Sequence, residues 1–544
     1  MEKTGDVLEA EDKGANGAGN VGSGVGKERT PDEIFARSPR RTHFARAACI
    51  GICAGLLAVA FRQALAFADG RREMLLTHLH AHPAWGWMIL PLIGLAAGCA
   101  VGWSMKRWAP EAGGSGIPHL KGVLLHLRTL TWKRLIPVKF LGGVAVIGSG
   151  LSLGREGPTV QMGAAIARAI ASLLRAPAAD VPQLLSAGAG AGMAAAFNAP
   201  LAGLVFVVEE LHRELSSRTA AGALVAAICA TVITKWLSGD TPSFEVHGLA
   251  ALPLHLLPLA AVVGVMGGAG GVVFNKSVLK AQTAALNQER VARWMMPGIA
   301  GVVVGLVAWW MPDAVGAGHS VAERLLGGTM QAGLGALALL LGVKFLMTIT
   351  SYASGAPGGI FAPMLLLGAL CGAGLASAGA FAWPGLAGFA PVLAVLGMAA
   401  FFVGSVRAPL TGIVLVSEMT GGYDLLFAIS IAVLAAYLTA EGLRDMPIYD
   451  ALLEADLKRN GYREPSSESR TIYLGIQSRS VLAGKAIRTA RLPEGCMIIS
   501  VERSGANLLP GPETVLHGGD HVTFFVPGDA IKAPLELVHL CTGM

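Results

Sequence analysis

Gly154-Arg155-Glu156-Gly157-Pro158 sets a carboxylate between apolar runs long enough to lie inside a membrane. A charge there is costly, so an intramembrane glutamate reads as functional. Gly154 and Gly157 leave the backbone bare, and Pro158 fits the first turn of a helix. The stretch, Arg155 included, predicts a helix N-terminus inside the bilayer, with free N–H groups and a partial positive charge. Such an end binds anions. Glu156 can fill that site itself or swing away and admit a free anion, which makes it a gate. Three more stretches read as helix ends aimed at one place: Gly114-Ser115-Gly116-Ile117-Pro118, Gly359-Ile360-Phe361-Ala362-Pro363 and Pro447-Ile448-Tyr449. Ser115 and Tyr449 offer hydroxyl donors, and Ile360 and Phe361 offer backbone N–H groups. Gly116, Ile117 and Gly157 complete the helix openings. An anion that must also leave needs several weak donors rather than a full positive charge.

The elements that must position these groups are membrane helices. The chain of 544 residues is 53% hydrophobic and only 14% charged, with 72 glycines, which excludes an ordinary soluble domain. Thirteen apolar segments follow one another between about residues 44 and 440, so the chain reads as a polytopic helical membrane protein. Short alternating segments of a membrane β-barrel are absent. The net charge of +6 comes without a basic stripe interleaved with aromatics, so nucleic acid is not an expected partner. The seven cysteines are scattered without a CxxC and read as buried small hydrophobes. His78, His80 and His82 are expected in a solvated loop, with no carboxylate or cysteine to complete a metal site. Arg37, Arg40, Arg41 and Arg46 precede the first apolar run, which places the N-terminus on the cytoplasmic side.

The membrane part repeats. Val138-Lys139-Phe140-Leu141 recurs as Val343-Lys344-Phe345-Leu346, Gly154–Pro158 corresponds to Gly359–Pro363, and Gly163 to Gly368, all at an offset of 205. Asn198-Ala199-Pro200-Leu201-Ala202-Gly203 recurs as Arg407-Ala408-Pro409-Leu410-Thr411-Gly412 at an offset of 209. Interrupted apolar segments in matching places point to a transport site at the midplane. Lys139 and Lys344 are expected to pair with helix ends or carboxylates. The division is then residues 1–43, a disordered or amphipathic cytoplasmic arm; 44–250 and 251–450, the two transmembrane repeats; 451–470, a linker; and 471–544, a small soluble α+β domain.

At this point the sequence resembles the CLC family of chloride channels and H+/Cl− exchange transporters. The resemblance rests on Gly114–Pro118, Gly154–Pro158, Gly359–Pro363 and Tyr449 in the family's order, over about residues 44–450. It implies an all-α polytopic protein built as an inverted repeat of broken helices, and a homodimer with a separate pore in each subunit. It implies that Ser115, Tyr449, Ile360 and Phe361 hold the anion and that Glu156 is the external gate. It also implies a multi-pass protein of the bacterial inner membrane with both termini cytoplasmic. Ser115 is what chloride-preferring members carry. His119 departs from the acidic residue common after the proline.

Exchanger and channel differ at Glu209-Glu210. The second-half copy has Glu418 opposite Glu209 but Met419 opposite Glu210. The repeated carboxylate suits a helix-end partner in both halves, and Glu210 is the extra one. In proton-coupled members the second glutamate relays protons from the cytoplasm. The competing reading of Glu210 is a solvated helix terminus. The resulting expectation is a proton-coupled chloride antiporter, with Glu156 as gate and Glu210 as proton relay, needing no metal or organic cofactor. A passive voltage- or ligand-gated chloride channel on the same fold is the alternative. A membrane hydrolase using Glu156 and Glu210 lacks a nucleophile–base set, so the chain is not expected to be an enzyme.

The tail has its own resemblance. Strand-like runs Thr471–Ile476, Met497–Val501 and His521–Val526 are separated by turn signals at Pro493-Glu494-Gly495, Ser504-Gly505 and Gly518-Gly519-Asp520. With Ser480–Arg488 and Leu492–Cys496 they look like an RCK-C (TrkA-C) domain. Such domains often dimerise and bind a small ligand, sometimes a nucleotide. A dimer-stabilising cap without a ligand is the other reading.

Overall fold

The computed structural model describes residues 39–213, 216–240, 243–244, 252–330, 332–460, 470–503, 506–527, 530 and 533–542. The expected disordered arm falls almost wholly outside these residues, as do residues 461–469 of the linker and the Ser504-Gly505 turn; the first ten linker residues instead continue a helix. The first half of the membrane part runs α1 (Arg40–His80), α2 (Pro83–Trp108), α3 (Ile117–Leu124), α4 (Trp132–Gly148), α5 (Glu156–Leu173), α6 (Val181–Phe197), α7 (Pro200–Phe206) and α8 (Ser217–Ser238). The second half runs α9 (Leu257–Asn287), α10 (Met296–Trp310), α11 (His319–Leu326), α12 (Leu334–Ala353), α13 (Phe361–Gly379), α14 (Ala390–Val406), α15 (Pro409–Thr420), α16 (Leu426–Gly442) and α17 (Ile448–Asn460). Among the described residues, nine helical segments are long and apolar enough to cross a membrane. Others, such as the eight-residue α3 and α11, are too short to span. They serve instead to bring a helix end into the interior, which is tolerable only where protein or a cavity surrounds it.

Matching glycines let matching helices touch. A Cβ on Gly163 of α5 would lie 2.2 Å from the Gly188 carbonyl of α6, and one on Gly368 of α13 would lie 2.2 Å from the Gly397 carbonyl of α14. The two crossings are the same crossing in each half, at the offsets read from the sequence. Close backbone approach replaces the hydrophobic drive that lipid does not supply. The helices α5, α6, α13 and α14 are buried along most of their length. They form the centre against which the more lipid-like faces of α8, α9 and α16 are arranged.

Lys139 and Lys344 are fully buried and occupy equivalent places. Lys139 Nζ donates to the carbonyls of Ala112 (2.8 Å) and Gly114 (2.6 Å), and Lys344 Nζ donates to the carbonyl of Gly316 (2.6 Å). Each ammonium therefore ties down the turn before a short helix, α3 or α11, as the helix-end pairing expected. The triple histidine is a correction. His78 and His80 belong to α1, which continues to His80 because no breaker precedes Ala81. The His80 ring stacks on Trp309 with centroids 4.2 Å apart, and its Nε2 lies 3.2 Å from the Trp309 carbonyl.

The tail forms a four-stranded antiparallel sheet in the order β1-β4-β2-β3, from β1 (Arg470–Gly475), β2 (Met497–Arg503), β3 (Ala506–Leu508) and β4 (His521–Val526), with α18 (Ala533–Thr542). Three strands follow the sequence reading; the three-residue β3 carries too little alternation to be seen there. Ile472, Leu474, Val522, Phe524 and Val526 build its core, and Leu127 of the membrane part is inserted into it, 2% exposed.

Candidate functional site

Glycines shape the loop before α3. Gly114 and Gly116 take φ of +61° and +86°, a region that L side chains rarely adopt. This turn delivers Ser115 and the opening N–H groups of α3 inward, with Pro118 in the first turn. The loop before α5 pairs with the loop before α13: Gly154 N–H donates to the Gly359 carbonyl at 2.6 Å and Gly359 N–H donates back at 2.8 Å. Gly358 N–H further donates to the Gly114 carbonyl at 3.1 Å. Three broken-helix loops are thus joined by their own backbones, and the N-termini of α3, α5 and α13 converge. Each contributes unsatisfied N–H groups and a partial positive charge.

The side chains around this point are buried and short of partners. Ser115 is 1% exposed and Tyr449 is fully buried, yet neither hydroxyl has a hydrogen-bond partner. The two side chains lie near each other. Buried hydroxyls without partners are rare and need a reason. Gly157 backs directly onto Ser115: a Cβ there would lie 2.5 Å from Ser115 Oγ and 2.6 Å from its carbonyl oxygen. Ile360 precedes α13 and Phe361 opens it; both are fully buried, and Phe361 is wedged between Phe197 (5.2 Å) and Phe402 (4.5 Å). A cavity of about 670 Å³ leads to Ser115, with Tyr352, Lys106, Arg293 and Arg459 on its walls.

Glu156 is the first residue of α5 and is fully buried, with both carboxylate oxygens lacking a hydrogen-bond partner. The carboxylate folds back over Gly154, where a Cβ would lie 2.1 Å from Oε2 and 3.2 Å from the Ala362 backbone nitrogen. It therefore sits between the ends of α5 and α13. The Arg155 side chain does not join it, and instead donates to the Ala196 carbonyl at 3.3 Å. His319 Nε2, at the start of α11, lies 3.8 Å from Glu156 Oε1.

Glu209 and Glu210 sit in one π-helical turn, Val207–His212, a local widening common at functional places. Glu209 caps α15, accepting from Leu410 N (3.0 Å), Thr411 N (2.7 Å) and Thr411 Oγ1 (2.7 Å). Glu418 returns the favour, accepting from Leu201 N (3.2 Å) and Ala202 N (2.8 Å) at the start of α7. The reciprocal caps explain why this carboxylate repeats. Glu210 is not a solvated helix end: it is 2% exposed, and Lys121 Nζ lies 2.9 Å from its Oε1. Lys121 also reaches Asp450 Oδ1 at 2.5 Å, and Arg213 pairs with Asp450 from the other side. Burying Glu210 requires such a partner, because an unpaired buried charge is costly.

The structure brings Ser115, Gly116, Ile117, Glu156, Gly157, Ile360, Phe361 and Tyr449 together, and adds Lys121, Asp450, Arg213 and His319, which the sequence reading did not single out as site residues. One signal was available: Gly316-Ala317-Gly318 repeats Gly114-Ser115-Gly116 at an offset of 202, with φ of +67° and +87° at its glycines. It marks α11 as the counterpart of α3.

Comparison with known proteins matches residues 97–441 to the voltage gated chloride channel family and residues 475–538 to the TrkA-C domain. The chain is 39% identical over 434 residues to the H(+)/Cl(−) exchange transporter ClcA of Cronobacter sakazakii, covering 78% of this chain and 92% of that protein. It is 36% identical over 431 residues to ClcA of Salmonella arizonae, covering 78% and 91%. Among solved structures, a slow cyanobacterial Cl−/H+ antiporter superposes with a TM-score of 0.73 at 31% identity, over 78% of this chain and 99% of that one. A CLC-type fluoride/proton antiporter shares the fold with a TM-score of 0.64 at 22% identity, over 76% and 97%. The convergent helix ends, the reciprocal caps and these matches agree: the chain belongs to the voltage gated chloride channel (CLC) family and carries a TrkA-C domain behind its membrane part.

Proposed function

We propose that the protein exchanges chloride for protons across the bacterial inner membrane, with both termini on the cytoplasmic side. Chloride is held by the Ser115 and Tyr449 hydroxyls and by the backbone N–H groups that open α3, α5 and α13, among them those of Gly116, Ile117, Gly157, Ile360 and Phe361. Arg155 contributes its place at the head of α5 rather than a direct charge. Glu156 acts as gate and proton carrier: ionised, it competes with chloride for the helix ends; protonated, it withdraws and lets chloride in. Glu210 passes protons between the cytoplasm and the interior. The observation that carries this reading is the Glu156 carboxylate, buried without a hydrogen-bond partner between the ends of α5 and α13.

The inner carboxylate is joined to the anion site through the chain itself. Lys121, which holds Glu210, lies on the helix that follows Ser115, and Asp450, which shares Lys121, follows Tyr449. A change of charge at Glu210 is thereby felt at both side chains that hold chloride. The functional unit is read as a homodimer with one pore per subunit. The tail is read as a regulatory domain for a small, nucleotide-like ligand, because Leu127 in its core comes three residues after the end of the Ser115 helix. Glu156→Gln tests the reading in liposomes. It should carry chloride while failing to move protons; proton movement that survives the substitution would contradict the gate.

A further inference from the structure

The gate carboxylate is sealed from solvent. Glu156 is fully buried, and the backbone that surrounds it offers no group that titrates. His319 is different. Its side chain is 24% exposed, while its Nε2 is buried, has no hydrogen-bond partner, and lies 3.8 Å from Glu156 Oε1. The ring thus has one edge open and the other aimed at the carboxylate. Its neighbours hold it there: the ring lies 5.7 Å from that of Phe244, and it heads a helix whose preceding turn is fixed by Lys344 through the Gly316 carbonyl. The charged groups facing it are Glu156 and Arg155 from the start of α5, Arg62 from α1 and Lys344 from α12. Three are basic groups, with the Lys344 ammonium engaged by the Gly316 carbonyl, and Glu156 is the carboxylate among them.

We propose that His319 is the outer proton donor to Glu156, the residue that carries protons between external solvent and the gate; this rests on the gate reading above. The transfer balances within the ring. The exposed nitrogen takes a proton from solvent, the N–H on Nε2 gives its proton to Glu156 Oε1, and the imidazole ends neutral as its other tautomer. Return through solvent or rotation of the ring resets it. A swing of the carboxylate out of the anion site shortens the 3.8 Å gap to hydrogen-bond length, so gating and proton loading become one movement. A relay of this kind is worth roughly a hundred-fold or more in rate.

The test uses the full chain in liposomes, following chloride and proton flux while external pH runs from 7.5 to 4.5. His319→Phe should slow coupled exchange at pH 7 by at least ten-fold. Its rate should then rise about ten-fold for each unit of external acid, because hydronium must reach Glu156 unaided. External imidazole should restore the rate at pH 7. His319→Asn, which keeps a polar edge but cannot turn over a proton, should behave like His319→Phe. In a Glu156→Ala background, which needs no proton, adding His319→Phe should bring no further loss and no dependence on external pH. Retention of the parent pH profile by both His319 variants would overturn the proposal. So would an equal slowing of chloride in the Glu156→Ala background, which would make the ring a packing residue. Persistent proton coupling in Glu156→Ala alone would instead defeat the gate reading on which the proposal stands.

Discussion

Lys121 holds two buried carboxylates at once, and removing its charge has a calculable effect. Lys121→Met keeps the length of the side chain and deletes the ammonium 2.9 Å from Glu210 and 2.5 Å from Asp450. At an effective dielectric of about 20, the attraction to Glu210 alone is ~6 kcal/mol, before the desolvation cost that opposes it. Breaking one side of a buried pair costs about 3–5 kcal/mol in practice. The variant has one escape, which is to bind a proton. Protonating a glutamate of ordinary affinity costs ~3.7 kcal/mol at pH 7 and ~1 kcal/mol at pH 5. The deficit is therefore nearly full at pH 7 and shrinks to about a third at pH 5. In thermal unfolding of the purified protein, Lys121→Met should melt roughly 5 °C below the parent at pH 7, and the gap should narrow on acidification. Adding Asp450→Asn removes the surplus negative charge and should recover most of the loss at pH 7. A Lys121→Met protein as stable as its parent at both pH values would refute the account of this cluster. So would a deficit that acid deepens.

Three further outcomes follow from the geometry. Gly157→Ala forces a methyl to within 2.5 Å of Ser115 Oγ, an overpacking of about 1–3 kcal/mol that should slow chloride flux roughly ten- to hundred-fold in a tracer assay. Glu209→Ala strips three hydrogen bonds from the start of α15 and should cost about 1–2 kcal/mol of stability, while the ratio of protons to chloride in liposome assays stays at the parent value. In the tail, burial pushes the Asp520 carboxyl up, but bonds from Arg503 Nε and Nη2 and from the His517 N–H outweigh it, and its affinity for a proton falls below the ordinary aspartate range. A depressed carboxyl stabilises the fold at neutral pH and loses that contribution as acid passes the native value, below ~3.9. Pepsin should therefore cut the tail faster as pH drops from 4 to 2, and Arg503→Met should make cleavage fast at pH 4 and nearly level across that range.

The helix ends proposed to hold the anion were legible in the sequence, because a helix end of this kind needs glycine and proline in fixed order. Ser115, Glu156, Ile360 and Phe361 all sit inside such signatures, and the repeat at offsets of 205 and 209 paired them. The recurrence of Glu209 as Glu418 likewise revealed a cap, since both must close a Pro-initiated helix. Glu156 and Glu210 stood out by their surroundings and by the repeat, but the charged side chains that partner them were not legible. Lys121 and Glu210 are 89 residues apart, and Asp450 comes from the far end of the membrane part. No local pattern requires a lysine at that place in α3; only the burial of Glu210 does. His319 was hidden for a similar reason: it occupies the place of Ile117 in a repeat whose serine has become Ala317, so its turn carries no donor to draw notice. The His78 and His80 pair failed in the other direction, because polar residues at the end of a long apolar helix read as loop when the helix simply runs on.

The central claim is obligatory exchange, and one measurement tests it most directly. Purified protein is placed in liposomes, with voltage fixed by potassium and valinomycin, and an outward chloride gradient is imposed at equal pH on both sides. The account predicts that chloride leaving drives protons inward against no gradient of their own, so the external solution turns alkaline. With Glu210→Gln, that signal should vanish while chloride still leaves. Chloride efflux from the unaltered protein with no change in external pH would contradict the account, and would return Glu210 to a structural partner of Lys121 in a passive channel.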